Sequence, residues 1–391
     1  MLKVGIIGVG NAGNQVAALA VKELNVEAIA INTSEKDLET LPGNIPKKLI
    51  TSEGSATWGA GKDRMLAKEY LMDSIMSLIK QEDFISFLSR NNLIIVVSST
   101  GGGTGSGIAP ILSNLIASYI SGLNENEHTM LTIGILPVYG EAYVAQFNTK
   151  EYMDEMKMNN ESATYMIYDN DKYANKPAYQ VLEAVNKDIV EDINVIRGFY
   201  NLSTKETSID DSDIIRLISY PGRLVVAKAM DIKERDLDNS SLETILVKNL
   251  RSSSHAELQM DHVVTATAVI ANLNASMYAG LDIHLPSIRA TYGEPLVDFT
   301  HVYVNEERKL PNNIFMIMSG LNRCVDRLEK ITERVEESDA ARNVKEDEEE
   351  EKEESALSMM AAKIAGKKRK TNAADFDVAD TFAKFGVRKR K

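Results

Sequence analysis

The 391-residue sequence has one cysteine, Cys324, so no disulfide bond can form within a single chain. A metal site built from several cysteines is excluded for the same reason. We expect a reducing compartment, the cytoplasm. No apolar run approaches the roughly 18 residues of a membrane span, so we expect no direct membrane contact. The N-terminal MLKVGIIGVG lacks the features of a signal peptide and is typical of a first β-strand.

Basic residues are fewer than acidic ones, and the net charge of −13 argues against a generally basic nucleic-acid binder. The charge is uneven along the chain. Residues 339–391 hold 13 Lys and Arg against 12 Asp and Glu, which leaves −14 on the first 338 residues. The run EDEEEEKEE at 346–354 repels itself and is expected to be disordered. These patterns predict an acidic folded body followed by a charged, disordered tail over 339–391.

Short β-branched runs alternate with helical patterns in the first half of the chain. The runs are Val4–Ile7, Ala28–Ile31, Leu93–Val97, Leu131–Leu136 and Tyr165–Tyr168, and helical patterns include Met65–Ile79 and Ile108–Ile120. The alternation predicts an α/β fold with a parallel sheet that binds ligands at the carboxyl ends of its strands. A central helix is predicted over 178–203, a smaller α+β domain over 204–310 and a C-terminal helix over 311–338.

The first glycine-rich loop, GVGNAG at 8–13, lies between a strand and a helix. It satisfies the dinucleotide fingerprint, in which glycines let the backbone and a helix N-terminus approach phosphates. A tight turn without a ligand is the alternative. An NAD site also needs an acidic residue at the end of the next strand, which here ends Ile31-Asn32-Thr33. The missing acid counts against NAD.

The second loop, GGGTGSG at 101–107, follows the strand Leu93–Val97. Five glycines in seven residues form a concave run of backbone N–H donors that suits a polyphosphate. Thr104 and Ser106 can add hydroxyl donors, and Pro110 is expected in the first turn of the next helix. A flexible linker is the alternative, but the loop lies between a buried strand and an apolar helix. A dehydrogenase has no need of a second phosphate loop of this size.

GGGTGSG matches the tubulin signature loop, and most of residues 1–335 resembles the tubulin/FtsZ superfamily of GTPases. GVGNAGNQ resembles its first phosphate loop, GAGKD at 59–63 the loop that senses the γ-phosphate, and Pro137 with Glu141 the ribose loop. Asn170-Asp171-Lys172 resembles the segment whose Asn reads guanine. The resemblance implies that GTP or GDP contacts Gly10, Asn11, Ala12, Gly13, Asn14, Gln15, Asn32, Gly61, Lys62, Gly101, Gly102, Gly103, Thr104, Gly105, Ser106, Gly107, Glu141, Asn170 and Tyr179.

Two positions depart from the FtsZ pattern. Ala145 stands where an arginine is expected, and Tyr179 stands where a second guanine-reading Asn is expected. Tyr179 could stack on the base, so phosphate binding is better supported than base specificity. Mg²⁺ should accompany the nucleotide, because it bridges the β- and γ-phosphate oxygens. The sequence shows no dedicated cluster of metal ligands.

SIDDSD at 208–213 resembles the synergy loop that a tubulin-like subunit inserts into the nucleotide pocket of its neighbour. The resemblance implies that Asp210 and Asp213 orient the attacking water, so hydrolysis requires assembly. A second interpretation stays open: an N-cap with acidic residues in the first helical turn.

The tail has basic clusters at 367–370 and 388–391, with Val378, Phe382 and Phe385 spaced as on one helix face. A solvated tail and a docking peptide are both open readings. The terminal helix and basic-ended tail resemble those of TubZ, the tubulin-like protein of plasmid and phage partition systems. There the tail engages a DNA-bound adaptor, so we expect an adaptor as a partner, beside the protein itself.

The resemblance thus implies a Rossmann-like GTP-binding domain at 1–177 and a smaller activation domain at 204–310, joined by the central helix. It implies head-to-tail filaments, since heterologous interfaces propagate without closing. The expected role is segregation of plasmid or phage DNA. A phage tubulin that positions replicated DNA and a divergent FtsZ in cell division are alternatives. A NAD-dependent oxidoreductase, based on GVGNAG alone, is the rival of another class.

Overall fold

The computed structural model describes residues 2–340, except 124–126, 160–163, 199–209, 240, 259–263, 281–292, 300, 306–310 and 323–325. The chain divides into two units, Met1–Val335 and Glu336–Lys391. In the second unit, residues 336–340 are helical, and the predicted apolar stripe of the tail lies outside the described residues. Among the helices of the described part, none is long and apolar enough to cross a membrane.

Strands and helices alternate over the first 198 residues. They are β1 (Val4–Val9), α1 (Gly10–Leu24), β2 (Glu27–Asn32), α2 (Glu35–Glu39), β3 (Lys47–Leu49), α3 (Arg64–Leu78), α4 (Glu82–Arg90), β4 (Leu93–Ser99), α5 (Gly103–Ile120), β5 (Thr129–Leu136), α6 (Tyr143–Asn159), β6 (Thr164–Asp169), a 3-10 helix (Asn170–Tyr173) and α7 (Ala178–Gly198). The five strands predicted from β-branched runs are all present. The helix predicted over 178–203 is described as far as Gly198.

The remaining elements are α8 (Asp211–Ser219), β7 (Gly222–Ala229), α9 (Glu234–Asn239), α10 (Leu242–Ser252), β8 (Ala266–Asn274), α11 (Ala275–Gly280), β9 (Val297–Asp298), β10 (His301–Asn305) and β11 (Asn313–Leu321). Residues 326–335 are helical. The prediction of one helix over 311–338 is therefore wrong in its first part. β11 pairs with β7 and β8, and a short apolar run inside a sheet cannot be told from a buried helix by periodicity alone.

The strands of the described residues belong to one sheet, in the order β10-β8-β11-β7-β6-β5-β4-β1-β2-β3, with β9 beside β8. The strands from β3 to β7 are parallel, and β11 runs antiparallel to β7 and β8. Residues 1–177 and 204–310 were predicted as separate domains, but backbone pairing between β6 and β7 continues the sheet through both. Residues 1–335 accordingly form one compact unit.

The parallel part of the sheet is buried on both faces, and β1 shows how. Val4 and Ile6 pack on one face with α1, α7 and α8, whereas Ile7 and Val9 pack on the other with α3, α4 and α5. Such a strand is apolar at every position, unlike a strand with one solvated face. A third cluster packs α10 against β7, β8 and β11. The sheet is thereby rigid where its carboxyl edge carries the candidate site.

Candidate nucleotide site

The two predicted phosphate loops meet at the carboxyl edge of the sheet, after β1 and β4. Gly10 has φ +72°, and a Cβ there would lie 3.0 Å from the backbone nitrogen of Gly105. Gly13 lies against β4, because a Cβ on it would be 2.1 Å from the carbonyl oxygen of Val97. A side chain at either position would separate the loops. The glycines therefore bring the N-terminus of α1 beside that of α5.

The side chains of the first loop fall into two groups. Asn11 and Gln15 are exposed and Ala12 is half-buried, whereas Asn14 is buried. Asn14 donates from Nδ2 to the carbonyl oxygen of Ile31 at 3.2 Å. Its Oδ1 is buried without a hydrogen-bond partner among the described residues. A buried acceptor of this kind is costly unless a donor reaches it, so it suits a polar ligand.

The turn after β2 joins the signature loop through two hydroxyl groups. The Oγ1 atoms of Thr33 and Thr104 lie 2.7 Å apart. Asn32 is buried and accepts from the backbone nitrogens of Thr33 at 2.8 Å and Ser34 at 3.3 Å. The Asn32 side chain thus shapes this turn. Thr33 holds the turn against the signature loop.

Helix α5 begins at Gly103, so Pro110 lies in its third turn. The prediction that Pro110 lies in the first turn is therefore wrong. Gly102 is the N-cap and has no capping side chain, which leaves the first backbone N–H groups of the helix to a ligand. The Ser106 hydroxyl was expected to be a phosphate donor, but it donates to the Gly102 carbonyl. The seven residues of the loop therefore offer mainly backbone donors.

Pro110 has no N–H, so the carbonyl of Ser106, four residues earlier, lacks its helical partner. Arg64 Nη2 donates to that carbonyl at 3.2 Å. The buried Arg64 guanidinium also donates to both carboxylate oxygens of Glu155, at 2.9 and 2.8 Å. Burial acts to raise the pKa of Glu155, but Arg64 and Lys68 hold that pKa below its ordinary value. Arg64 thus joins α3, α5 and α6 behind the loop, a role that the sequence does not reveal.

The loop at 59–63 lies against the signature loop. Its backbone has positive φ at Gly59, Gly61 and, at +67°, Lys62, a conformation that costs a non-glycine residue energy. Asp63 then caps α3 by accepting from Met65 and Leu66. A Cβ on Gly103 would lie 2.9 Å from Lys62 Cα. Lys62 therefore lies against Gly103 of the second loop.

The loop after β5 is held by a hydrogen bond within the loop and by hydrogen bonds from the helical residues 326–335. Glu141 Oε1 accepts from the Val138 nitrogen at 3.1 Å, so the carboxylate shapes its own loop. Ala145 stands where the FtsZ pattern has arginine. It is buried, with its Cβ 3.2 Å from the Cβ position of Gly101. The helical residues 326–335 contribute Arg327, which donates to the Pro137 carbonyl and to Asp169, both at 2.8 Å.

The predicted base-reading residues lie at the end of β6 and the start of α7. Asn170 is buried, and its Oδ1 has no hydrogen-bond partner within the described part of the chain. An amide oxygen there suits the N–H donors of guanine. Tyr179 is 67% exposed, and its hydroxyl accepts from Gln180 at 2.8 Å. Its ring is free to stack on a base, whereas Asn170 presents a fixed acceptor.

Asp210 and Asp213 lie at the start of α8, and the hydrogen bonds described for them stay within that helix start. Asp210 accepts from the Ser212 and Asp213 nitrogens at 2.8 and 3.0 Å, and Asp213 accepts in return from the Asp210 nitrogen at 3.2 Å. The Ser212 hydroxyl, foremost, and these backbone donors lower the pKa of Asp210. The pair is a capping box, so the N-cap interpretation describes its local geometry.

Helix α8 ends at the opposite edge of the sheet from the loops. The Ser219 hydroxyl lies 3.1 Å from that of Thr129, the first residue of β5. Thr164, the first residue of β6, donates to the carbonyl of Tyr220 at 2.8 Å. Both aspartates are solvent-accessible. Within the described ranges, no group of three His, Cys, Asp or Glu residues could hold a metal ion.

The family described as "Tubulin/FtsZ family, GTPase domain" matches residues 3–176. A tubulin-like protein CetZ of Pyrococcus horikoshii is 24% identical over 286 residues, which is 72% of each chain. A tubulin-like protein TubZ of Clostridium botulinum C phage is 29% identical over 235 residues, 59% of this chain and 58% of its own.

Among solved structures, CetZ2 from Haloferax volcanii, a GTPγS-bound protofilament, superposes with a TM-score of 0.69 at 21% identity. It covers 88% of this chain and 100% of its own, and at that identity it shows the fold alone. The family match leaves no support for the oxidoreductase alternative. Residues 3–176 thus match the GTPase domain of the tubulin/FtsZ family.

Proposed function

We propose that this chain is a cytoplasmic cytoskeletal GTPase that assembles head to tail and hydrolyses GTP at the interface between subunits. The observation that carries the proposal is that the two predicted half-sites, the phosphate loops and the start of α8, share none of the hydrogen bonds described above. The phosphate loops lie at the carboxyl edge of the sheet, whereas α8, which Asp210 and Asp213 begin, ends at the amino edge. A subunit stacked on the next in the same orientation brings the two half-sites together.

The nucleotide half-site suits GTP in its phosphate and base regions. The uncapped N-terminus of α5 offers N–H donors and a positive helix end to a polyphosphate. Asn170 offers a buried acceptor to the base. The Mg²⁺ ion that accompanies the nucleotide would be held mainly by phosphate oxygens, which fits the lack of a cluster of acidic ligands in the described part of the chain.

The acidic half-site suits water positioning in a neighbour. Asp210 and Asp213 are accessible and held in fixed geometry by the capping box. Phosphoryl transfer depends largely on positioning and charge compensation, so carboxylates delivered by a second subunit would make hydrolysis depend on assembly. The GTPγS-bound protofilament of Haloferax volcanii CetZ2 supports this arrangement by likeness of fold.

Two measurements on the purified protein test the proposal. The protein should bind GTP and not NADH. GTP turnover per subunit should also rise with protein concentration, because each active site needs two subunits. A turnover per subunit that stays constant across the assembly threshold, measured by light scattering, would contradict the shared site.

For the cellular role, we propose segregation of plasmid or phage DNA through an adaptor bound by the tail. Two things support it: the likeness to a phage TubZ, and basic clusters that flank an apolar stripe in residues 339–391. Deletion of 339–391 should leave GTP-dependent filaments intact and abolish adaptor docking, and the docking should weaken with salt. Loss of polymerisation in a folded truncated protein would assign the tail to the filament.

A further inference from the structure

Asn148 on α6 lies between the two loops that flank the γ-phosphate position of the proposed site. It is 2% exposed. Its Nδ2 lies 2.9 Å from the carbonyl oxygen of Lys62 and 3.3 Å from those of Gly101 and Gly102. The amide nitrogen carries two hydrogens, so it can donate to both loops at once. Asn148 is thus a single side chain that joins the loops at 59–63 and 101–107.

These bonds set the direction of the peptide groups in the signature loop. A peptide unit is planar and trans, so its N–H points away from its C=O. The carbonyls of Gly101 and Gly102 face Asn148, which directs the N–H groups of Gly102 and Gly103 to the opposite side. Carbonyl oxygens turned toward a polyphosphate would repel it, whereas N–H groups attract it.

The same amide supports the strained residue of the other loop. Lys62 has φ +67°, which a non-glycine residue adopts at an energetic cost. Its carbonyl accepts the shortest of the three hydrogen bonds. The Asp63 nitrogen donates to the Ala60 carbonyl at 2.7 Å, so the Lys62 turn is fixed at both ends. Without Asn148, the loop at 59–63 would lose its one side-chain anchor on α6 among the contacts described above.

We propose that Asn148 is a positioning residue that couples the loop at 59–63 to the signature loop, so that both respond together to the terminal phosphate of the nucleotide. The inference rests on the proposed function, since it takes the ligand to be GTP. A nucleoside triphosphate reaches both loops, whereas a diphosphate lacks the group between them. Asn148 therefore sets the preference of the site for GTP over GDP.

The test compares two buried amides on the same helix. Asn148→Ala removes the coupling between the two phosphate loops. Gln146→Ala is the matched control, because Gln146 donates to the carbonyls of Val138 at 2.9 Å and Tyr139 at 3.3 Å, in the loop assigned to the ribose. Affinities for GTPγS and GDP are measured by calorimetry on full-length protein, below the assembly concentration.

We expect Asn148→Ala to weaken GTPγS binding about tenfold, the effect of one to two hydrogen bonds, and GDP binding much less. Gln146→Ala should weaken both nucleotides by similar factors. An unchanged ratio of GTPγS to GDP affinity in Asn148→Ala would overturn the inference. Failure of the wild-type protein to bind GTPγS would instead overturn the proposed function.

Retained GDP binding shows that the variant is folded. If Asn148→Ala does not fold, Asn148→Thr keeps one hydroxyl donor and more of the buried volume. It should lower the GTPγS-to-GDP affinity ratio in the same direction, and an unchanged ratio would again overturn the inference. Asn148→Asp places an anion against three carbonyl oxygens and should lower that ratio further than alanine does.

Discussion

The hydroxyl groups of Thr33 and Thr104 lie 2.7 Å apart, so the turn after β2 and the signature loop share a hydrogen bond. Thr104 is also the second residue of α5, next to Gly103, where the nucleotide phosphates would lie. The roles of the Thr33 and Thr104 hydroxyl groups in nucleotide binding can therefore be distinguished by substituting each residue separately. Valine keeps the shape of threonine and removes only the hydroxyl.

Thr104→Val should weaken GTP binding about tenfold or more, since it removes a hydroxyl that can donate to a charged phosphate. Thr33→Val removes only the neutral partner, and its effect on affinity should be about threefold or less. Calorimetric titration of both variants with GTPγS gives the comparison. Equal losses would mean that the hydroxyl of Thr104 serves the turn and not the phosphate.

Asp210 has two possible roles, and its substitutions separate them. Asparagine caps a helix about as well as aspartate but carries no charge. Alanine neither caps the helix nor carries a charge. Asp210→Asn should keep normal stability yet lower GTP turnover in filaments 100-fold or more, about the effect of a misplaced nucleophile. Asp210→Ala should lose the same turnover and also about 1 kcal/mol of stability.

Chemical denaturation and GTP turnover are measured on the same preparations. Normal hydrolysis in assembled filaments of Asp210→Asn would leave capping as the only role of Asp210. Asp213→Asn should behave in the same way as Asp210→Asn, because its side chain accepts from the Asp210 nitrogen and an amide oxygen also accepts. Filaments of either variant should be long-lived, because their subunits remain bound to GTP.

A shared active site also predicts complementation between two inactive proteins. Gly103→Val should not bind GTP, because its side chain would meet the backbone of Lys62 and Asp63 at 2.9 Å. It keeps Asp210, however, and can act on GTP bound to an Asp210→Asn subunit. A mixture of the two proteins should therefore hydrolyse GTP faster than the sum of the separate rates. The matched control is a Gly103→Val, Asp210→Asn double variant. Mixed with Asp210→Asn, it should give no increase in GTP hydrolysis over the sum of the separate rates.

The central helix α7 is held by a buried charge cluster. Asp192 lies 2.7 Å from Lys228 Nζ, 2.9 Å from His255 Nε2 and 2.7 Å from the Tyr168 hydroxyl. Asp192→Asn leaves the buried Lys228 ammonium with Glu191, 3.1 Å away, as its remaining described carboxylate partner, so we expect a loss in unfolding free energy below the about 3–5 kcal/mol of an unpaired buried charge. Lys228→Met in the same background should recover part of it. Denaturant titration measures both changes.

The same cluster predicts how stability depends on pH. Burial acts to raise the pKa of Asp192, but Lys228 and His255 hold it below the ordinary value of 3.8. The folding stability that the ionised Asp192 contributes is fully present above pH 3.8. It is lost as pH falls through the lower pKa of Asp192 in the folded state. Burial and Asp192 raise the pKa of Tyr168 well above 10.0. The folding stability that the neutral Tyr168 hydroxyl contributes is therefore lost as pH rises past 10.0.

Melting temperature measured against pH should show both limits. Asp192→Asn should flatten the acid limb, and Tyr168→Phe should flatten the alkaline limb. An acid limb that is unchanged in Asp192→Asn would assign the acid sensitivity to other carboxylates.

The sequence predicts the loops better than it predicts what holds them. Strands and glycine-rich turns are encoded locally, so their order along the sheet edge follows from periodicity and turn chemistry. Asn148, Arg64 and Thr33 are polar residues whose partners lie on other elements, and no local pattern distinguishes them. Helix α5 starts earlier than Pro110 suggested, because Arg64 supplies the bond that the proline lacks.

The strand β11 shows a second limit of local pattern. Its residues, NIFMIMSGL, are buried almost throughout between β7 and β8. A run buried on both faces has no alternation, so it resembles the start of an apolar helix. Only the presence of two partner strands, distant in sequence, selects the extended form. The smaller domain at 204–310 was predicted from a stretch of helices and strands without glycine-rich loops, although the sheet continues into it.

The seam between β6 and β7 is narrow: two register pairs join these strands, whereas seven join β4 and β5. The stiffness of a ribbon of strands comes from its ladder of hydrogen bonds, so the ribbon resists twisting less at this seam than between β4 and β5. A subunit stacked between two neighbours would therefore absorb torque here sooner than between β4 and β5, with little distortion of the loops at the nucleotide edge. A filament of such subunits could store elastic twist at every repeat and release it when a bond between neighbours breaks.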